Sequence, residues 1–162
     1  MNAITLLTRD HRTVEELFEK FEKAKGAAAK RTLVEKICTE LKIHTMIEEE
    51  IFYPALEGKI EEDLLKEAYV EHDGAKLLIT QLEAEGPDEE YYDAKVKVLS
   101  EQIEHHVEEE EKRGDGMFAQ AKKAEVDLDA LGERMERRKS ELMTEAKVGA
   151  LPDAEPTTID VH

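Results

Sequence analysis

Apolar side chains recur every three or four residues through four stretches of the chain, and short breaks separate these stretches. This spacing places the apolar residues of each stretch on one face of an α-helix. Gly26, Gly58, Gly86 and Gly114 mark the breaks, and Asp88 suits the N-cap of the last stretch. The pattern therefore predicts four helices, at about residues 2–25, 30–56, 61–85 and 88–113.

Short connections between these helices favour an all-α fold, an up-down-up-down four-helix bundle. A fifth amphipathic pattern follows at about residues 127–147, with Leu128, Leu131, Met135 and Leu142. This additional C-terminal helix is expected to lie across the bundle or to pair with a second copy in a homo-oligomer. The last residues hold two prolines and no periodicity, which predicts disorder. The predicted parts are a bundle (1–125), a C-terminal amphipathic helix (126–148) and a disordered tail (149–162).

Composition narrows the classes of partner and compartment. The chain has 162 residues, enough for one domain with a buried core, and its formal net charge is −17. Such an acidic excess argues against binding to nucleic acid or to an anionic membrane, since both need clustered Lys and Arg. Cys38 is the single cysteine, and no signal peptide or membrane span is recognisable, which predicts a cytoplasmic protein.

Histidines interrupt the apolar face of each predicted bundle helix. In two of the helices a glutamate follows the histidine four residues later, on the same face. The neighbouring glutamates of the runs 48–50 and 108–111 are interpreted as solvated surface. The inward-facing polar residues are His11, His44, Glu48, His72, His106 and Glu110.

The histidines also lie at compatible heights along the bundle. Counted from Ala27, His11 lies 16 residues upstream and His44 lies 17 downstream; counted from Gly58, His44 and His72 both lie 14 residues away. His106 is about one helical turn out of this layer, a difference that an irregular start to the fourth helix would remove.

Several imidazoles and carboxylates in one apolar layer need compensation, and bound cations provide it. Imidazole and carboxylate ligands without thiolate suit iron or manganese, with zinc as an alternative. Because Glu48 and Glu110 lie on different helices and each can bridge two ions, a dinuclear site is the natural count.

Other interpretations stay open at this point. His105 with Glu109 has the same internal spacing as His106 with Glu110 and forms the reserve assignment for the fourth helix. Tyr53 follows the Glu48 turn and could approach the metal site, although an aromatic at such a position more often serves packing. Isolated histidines on helices are more often hydrogen-bonded core residues than ligands, so a metal-free helical interaction module is an alternative function.

The motifs together resemble the hemerythrin-like, HHE cation-binding domain. The resemblance covers about residues 1–125, and LDALGERMERRKSEL is similar to a helix that many bacterial members append. The motifs are His11, His44-x-x-x-Glu48 in IHTMIEEEIFYPAL, His72 in YVEHDGAKLL and His106-x-x-x-Glu110 in IEHHVEEEE.

The resemblance implies a non-haem di-iron centre with histidines as terminal ligands and Glu48 and Glu110 as bridges. Three features depart from the oxygen-carrying hemerythrins. Lys76 stands where they have a second histidine on the third helix, and the last carboxylate is a Glu at four residues instead of an Asp at five. The segment KRGDGMFA carries a short insertion and has Ala119 in place of a proline. These departures argue against reversible O₂ carriage.

The sequence thus predicts a di-iron protein that binds or responds to O₂, peroxide, nitric oxide or iron itself. Such ligands indicate a role in the oxidative or nitrosative stress response. The expected partner of the protein is a small diatomic molecule or peroxide. The alternative is a peroxide-consuming, catalase-like di-iron enzyme, and the sequence leaves open which of these activities holds.

Overall fold

The computed structural model describes residues 1–159 of the chain, and these residues form helices and loops without a β-strand. The all-α prediction is therefore confirmed. The helices are α1 (Ala3–Lys23), α2 (Ala27–Ile47), a π-helical turn (Glu48–Phe52), α3 (Tyr53–Leu56), α4 (Glu62–Ala84), α5 (Tyr92–Glu111), α6 (Met117–Lys123) and α7 (Leu128–Lys147).

Helices α1, α2, α4 and α5 form the four-helix bundle. Each packs against the next along the chain, and α5 packs back against α1, which closes the ring. The connections are short, so consecutive helices run antiparallel, as predicted.

The apolar core is divided into two clusters by the polar layer. On α1, Leu7 belongs to one cluster and Val14 to the other, and His11 lies between them. The same change of cluster occurs on α4 between Ala68 and Ala75, on either side of the third histidine. The histidine layer therefore lies deep in the bundle, between the two apolar clusters.

The second predicted helix is interrupted by the π-helical turn, a feature that the apolar pattern did not indicate. Pro54 has no N–H group, so it cannot donate to the carbonyl four residues earlier, and the ladder widens just before it. The backbone N–H of Tyr53 instead bonds to the carbonyl of Glu48. This wider turn leaves both Glu48 and Tyr53 buried.

The fourth bundle helix begins at Tyr92, so the prediction that Asp88 is its N-cap was wrong. Residues 86–91 form two consecutive turns, in which Glu89 N bonds to Gly86 O at 3.0 Å and Tyr92 N bonds to Glu89 O at 3.1 Å. These turns take up about the extra helical turn that separated His106 from the other histidines in the sequence count.

The C-terminal helix α7 lies across the bundle, against α1 and α2. Its side chains Met135 and Leu142 are fully buried against the bundle. At Gly132 the helix approaches the N-terminus so closely that a Cβ would lie 2.1 Å from the carbonyl oxygen of Met1. Of the two placements expected for this helix, the structure has the one across the bundle; pairing with a second copy stays a prediction.

The segment after α7 has no helix or strand as far as residue 159, yet part of it contacts the bundle. Leu151 packs on the core, and the backbone N–H groups of Thr157 and Thr158 each donate to Asp73 at 2.8 Å. Disorder of 149–162 stays a prediction, and residues 160–162, with His162, lie outside the described residues. No helix in the described part of the chain is apolar over a length that could cross a membrane.

Candidate metal centre

The structure brings all six predicted inward-facing residues into one layer of the bundle. None is more than 6% exposed, so their charges and lone pairs are removed from water. Their side chains come from α1, α2, the π-helical turn, α4 and α5, and they separate into two groups of three.

The first group contains His11, His44 and Glu110, whose nearest ligand atoms lie within 4.8 Å of one another. His11 Nε2 is 3.1 Å from Glu110 Oε1. The imidazole rings of His11 and His44 meet edge to face, with centroids 5.0 Å apart. Two nitrogens and one carboxylate oxygen therefore converge on a single point.

The second group contains Glu48, His72 and His106, with the same convergence. Nε2 of His72 is 3.1 Å from Glu48 Oε1 and 3.2 Å from Nε2 of His106. The two groups thus have the same composition, two imidazoles and one carboxylate.

Each glutamate also reaches a histidine of the other group. Glu48 Oε1 lies 3.0 Å from Nε2 of His44, and Glu110 Oε1 lies 3.5 Å from Nε2 of His106. The two carboxylates therefore stand between the groups, where one carboxylate can bind two cations at once. Both groups therefore share their carboxylates, and their ligand atoms are compatible with metal binding.

In each of the four histidines, the ring nitrogen that points away from the centre, Nδ1, is paired with a carboxylate, and this pair orients the ring. Such a partner fixes the ring and directs Nε2, with its lone pair, toward the centre. Glu49 and Glu111, interpreted from the sequence as surface residues, are two of these partners. The Nδ1–carboxylate pairs are His11 with Glu111 (2.5 Å), His44 with Asp10 (3.0 Å), His72 with Glu49 (2.7 Å) and His106 with Glu71 (2.6 Å).

Four buried atoms at the centre have no hydrogen-bond partner among the described residues: His11 Nε2, His44 Nε2, Glu48 Oε2 and Glu110 Oε1. His11 Nε2 and Glu110 Oε1 lie 3.1 Å apart, but their angles do not fit a hydrogen bond. Buried polar atoms are rarely left unpaired, and converging acceptors repel unless a proton or a metal cation lies between them. The residues present therefore fit a pair of cations.

Without metal ions, protons take the place of these cations. Burial lowers the pKa of His44, but Glu48 and Asp10 outweigh this effect and raise it to about 10. Burial would raise the pKa of Glu48, but His44 and its other partners hold it well below the usual range. Burial and the neighbouring Glu48 raise the pKa of Glu110. Metal binding at this centre must displace protons from the imidazoles.

Tyr53 lies at the centre, which is the less favoured of the two placements that the sequence left open. Its hydroxyl is 3.2 Å from His72 Nε2 and 3.1 Å from His106 Nε2, and it donates to Glu110 Oε2 at 3.0 Å. Burial, Glu110 and Glu48 raise the pKa of Tyr53 well above its usual value, so the phenol stays a neutral donor. Pro54, which produces the π-helical turn, was the available signal in the sequence.

The reserve pair, His105 and Glu109, lies outside the bundle core. His105 is exposed, and its Nε2 pairs with Glu109 Oε1 at 2.8 Å and with Glu71 Oε2 at 3.3 Å. These three side chains make a third group of possible ligand atoms on the surface. Of the two candidate pairs on α5, His106 and Glu110 face inward.

Lys76 does not point into the centre. It is buried and donates to Glu49, with Nζ 2.9 Å from one carboxylate oxygen and 3.1 Å from the other. The position at which oxygen-carrying hemerythrins place a further histidine therefore supplies no ligand here. Lys76 instead stabilises the carboxylate behind His72.

A small cavity of about 20 Å³ borders the histidines. Its other walls are mainly apolar, formed by Val14, Leu41, Ile103 and Val107. A volume of roughly 10–15 Å³ is enough for one water molecule. The cavity therefore accommodates about one water-sized molecule beside the imidazoles.

Comparisons with known proteins identify the family and the fold. The family model of the hemerythrin HHE cation binding domain matches residues 2–114. A crystal structure of a hemerythrin HHE cation-binding domain-containing protein from Mycobacterium kansasii superposes with a TM-score of 0.72 over 93% of this chain and 94% of that chain. At 22% sequence identity, this similarity shows the fold alone.

A curated protein, the DNA nickase of Nostoc sp. (strain PCC 7120 / SAG 25.82 / UTEX 2576), is 27% identical over 111 residues. The match takes in 68% of this chain but 32% of the nickase, so the chain spans about a third of that relative's length. The predicted resemblance is confirmed by the family match, and the His/Glu groups are compatible with metal binding.

Proposed function

We propose that this chain, which belongs to the hemerythrin HHE cation-binding domain family, binds two non-haem iron ions and uses them to bind or respond to O₂, peroxide, nitric oxide or iron itself. One observation carries the proposal. Two groups of two histidines and one glutamate lie side by side, and Glu48 and Glu110 each reach a histidine of the other group.

The donor set determines which metals fit. Each ion would be held by two imidazole nitrogens and by oxygens of the two shared carboxylates. Imidazole and carboxylate ligands suit iron and manganese, and zinc is the alternative that the same ligands admit. Cys38, the single cysteine, lies in the apolar core and supplies no thiolate to the centre.

The surroundings of the centre support a small ligand. Four or fewer protein donors to each ion leave coordination positions for an added molecule. When bound, a non-haem iron pair would supply a binding position for such molecules or electron exchange with them. The chain's contribution is to orient the imidazoles, to hold a proton on Tyr53 and to offer a cavity of about 20 Å³. The apolar walls favour a small uncharged molecule over a hydrated anion.

Metal analysis tests the proposal. The purified protein is expected to contain two iron ions per chain after expression in iron-replete medium, and to show a charge-transfer band of an oxo-bridged ferric pair. Glu110→Ala should lose metal, since it removes a donor shared by both ions. Protein that retains no iron, manganese or zinc under these conditions would overturn the proposal.

Peroxide consumption is a second candidate activity. Rates of peroxide loss in wild type and in Glu110→Ala would separate turnover from simple binding. DNA nicking is not carried over from the relative, because the match covers 32% of that protein and the net charge of −17 opposes binding to phosphate.

A further inference from the structure

The carboxylates behind the histidines differ in what holds them in place. Glu111 is paired with Arg12 and Glu71 with His105, and all of these residues lie within the bundle helices. Asp10 and Glu49 instead contact the part of the chain that follows α6. That part begins beyond residue 114, where the family match ends.

Helix α7 reaches His44 through Asp10. Lys139 Nζ lies 2.5 Å from Asp10 Oδ1, while His44 Nδ1 lies 3.0 Å from the other oxygen, Oδ2. Lys139 stands four residues after Met135 and three before Leu142, on the face of α7 that is buried against the bundle. Apolar packing of the helix therefore fixes the position of the ammonium group.

The segment after α7 reaches His72 through Glu49 in the same way. The hydroxyl of Thr157 donates to Glu49 Oε1, while His72 Nδ1 lies 2.7 Å from Oε2. Two backbone N–H groups hold this segment on Asp73, which is buried. Lys76 adds a second donor to Glu49 and also bonds to the Thr157 hydroxyl, at 3.0 Å.

We propose that Lys139 and Thr157 are positioning residues of the metal centre. Each fixes the free oxygen of a carboxylate whose other oxygen orients a histidine. Lys139 acts on the group that contains His44, and Thr157 acts on the group that contains His72. The inference rests on the proposed metal-binding function and adds that the C-terminal segment, outside the family match, sets the affinity of each site separately.

Two pairs of variants test this inference. Loss of a group that orients a metal-bound histidine typically weakens metal affinity by about 10–100-fold, and these residues act one step further out, so about tenfold is expected. Anaerobic titration of the metal-free full-length protein with Fe²⁺ should show this loss for one of two ions in Lys139→Gln, and for the other ion in Thr157→Val. Lys139→Arg and Thr157→Ser should restore the affinity.

Matched controls come from the adjacent positions. Arg138 forms an ion pair of 2.8 Å with Glu50, which contacts no histidine in the described structure, and the hydroxyl of Thr158 bonds to Asp73. Arg138→Gln and Thr158→Val should therefore bind Fe²⁺ as wild type does. Equal losses in the controls would overturn the inference, because they would indicate general docking of the segment.

A measurement without metal separates this inference from the proposed function. In ¹⁵N-labelled metal-free protein, the Nδ1 proton of His44 should exchange faster with water in Lys139→Gln, and that of His72 should do so in Thr157→Val. If wild type binds no Fe²⁺, the proposed function is wrong. The exchange rates of the Nδ1 protons would still test whether Lys139 and Thr157 position the histidines. Unchanged ring protons would overturn the positioning role, and Thr157→Val, outside the helices, provides this test even if the Lys139 variant fails to fold.

Discussion

The hydroxyl of Tyr53 donates a hydrogen bond of 3.0 Å to Glu110 Oε2, one of the two carboxylates shared between the metal-ligand groups. The hydroxyl oxygen of Tyr53 also lies within 3.2 Å of Nε2 of His72 and of His106. Because burial and the two carboxylates raise the pKa of Tyr53 well above its usual value, the phenol is a fixed proton donor at the centre.

Tyr53→Phe should destabilise the metal-free protein by about 1–3 kcal/mol, since it leaves a buried carboxylate oxygen without its donor. Urea unfolding of metal-free protein measures this change. Tyr92→Phe is the control, because the Tyr92 ring also packs in the apolar core but its hydroxyl makes no hydrogen bond to another described residue. A gain in stability in Tyr53→Phe would show that the hydroxyl is not a net stabilising donor.

The register of α5 gives a second prediction. His106 is buried with Nε2 toward the centre, whereas the neighbouring His105 is exposed. His106→Ala should lower the iron content from two ions toward one or none, while His105→Ala should leave it unchanged. Elemental analysis after gel filtration measures both, and metal loss in the His105 variant alone would reverse the assignment.

The fold and the six inward-facing residues could be predicted because both follow from helical periodicity. Residues three and four apart share a face, so the apolar pattern and the histidines point to the same side of each helix. The π-helical turn was not predicted, and an irregular start of α5 was indicated only by the height of His106, because both features depend on local hydrogen bonding at Pro54 and across residues 86–91.

The carboxylates behind the histidines were missed for a different reason. Each is the sequence neighbour of a predicted ligand but serves a histidine on another helix. Asp10, beside His11, orients His44, and Glu71, beside His72, orients His106. Which helix faces which is a property of the packed bundle, so single-helix periodicity cannot indicate these pairs.

Metal removal gives a third prediction. A ligand that binds the folded state alone stabilises it by about 4 kcal/mol when its concentration is a thousand times its Kd. At about 2–4 °C per kcal/mol for a chain of this size, each bound Fe²⁺ ion should raise the thermal midpoint by about 8–16 °C. Scanning calorimetry with and without a chelator measures the shift.

His44→Leu provides the control for this experiment. It removes a ligand and also the protonated imidazole between Glu48 and Asp10, so the metal-free variant should be less stable than metal-free wild type and should respond weakly to Fe²⁺. A wild type without any metal-dependent shift would instead support the metal-free interaction module.

Burial of Cys38 predicts that its thiol reacts slowly in the folded protein. Burial and the nearby Glu83 raise the pKa of the Cys38 thiol to about 12, so the reactive thiolate is scarce at neutral pH. Ellman's reagent at pH 8 should react slowly with native protein and rapidly with protein in guanidinium chloride. Fast labelling of the native protein would contradict this prediction.

Lys76 and Lys66 form ion pairs that differ in burial, and this difference predicts their effects on stability. Lys76 is 7% exposed and pairs with Glu49, whereas Lys66 is 68% exposed and pairs with Glu62. Removing one partner of a buried pair leaves an uncompensated charge, at about 3–5 kcal/mol, whereas exposed pairs contribute about 0–1 kcal/mol. Lys76→Met should therefore lower the free energy of unfolding of the metal-free protein by about 3 kcal/mol, and Lys66→Met should leave it nearly unchanged. Equal effects in urea unfolding would show that Glu49 does not depend on Lys76 for its charge.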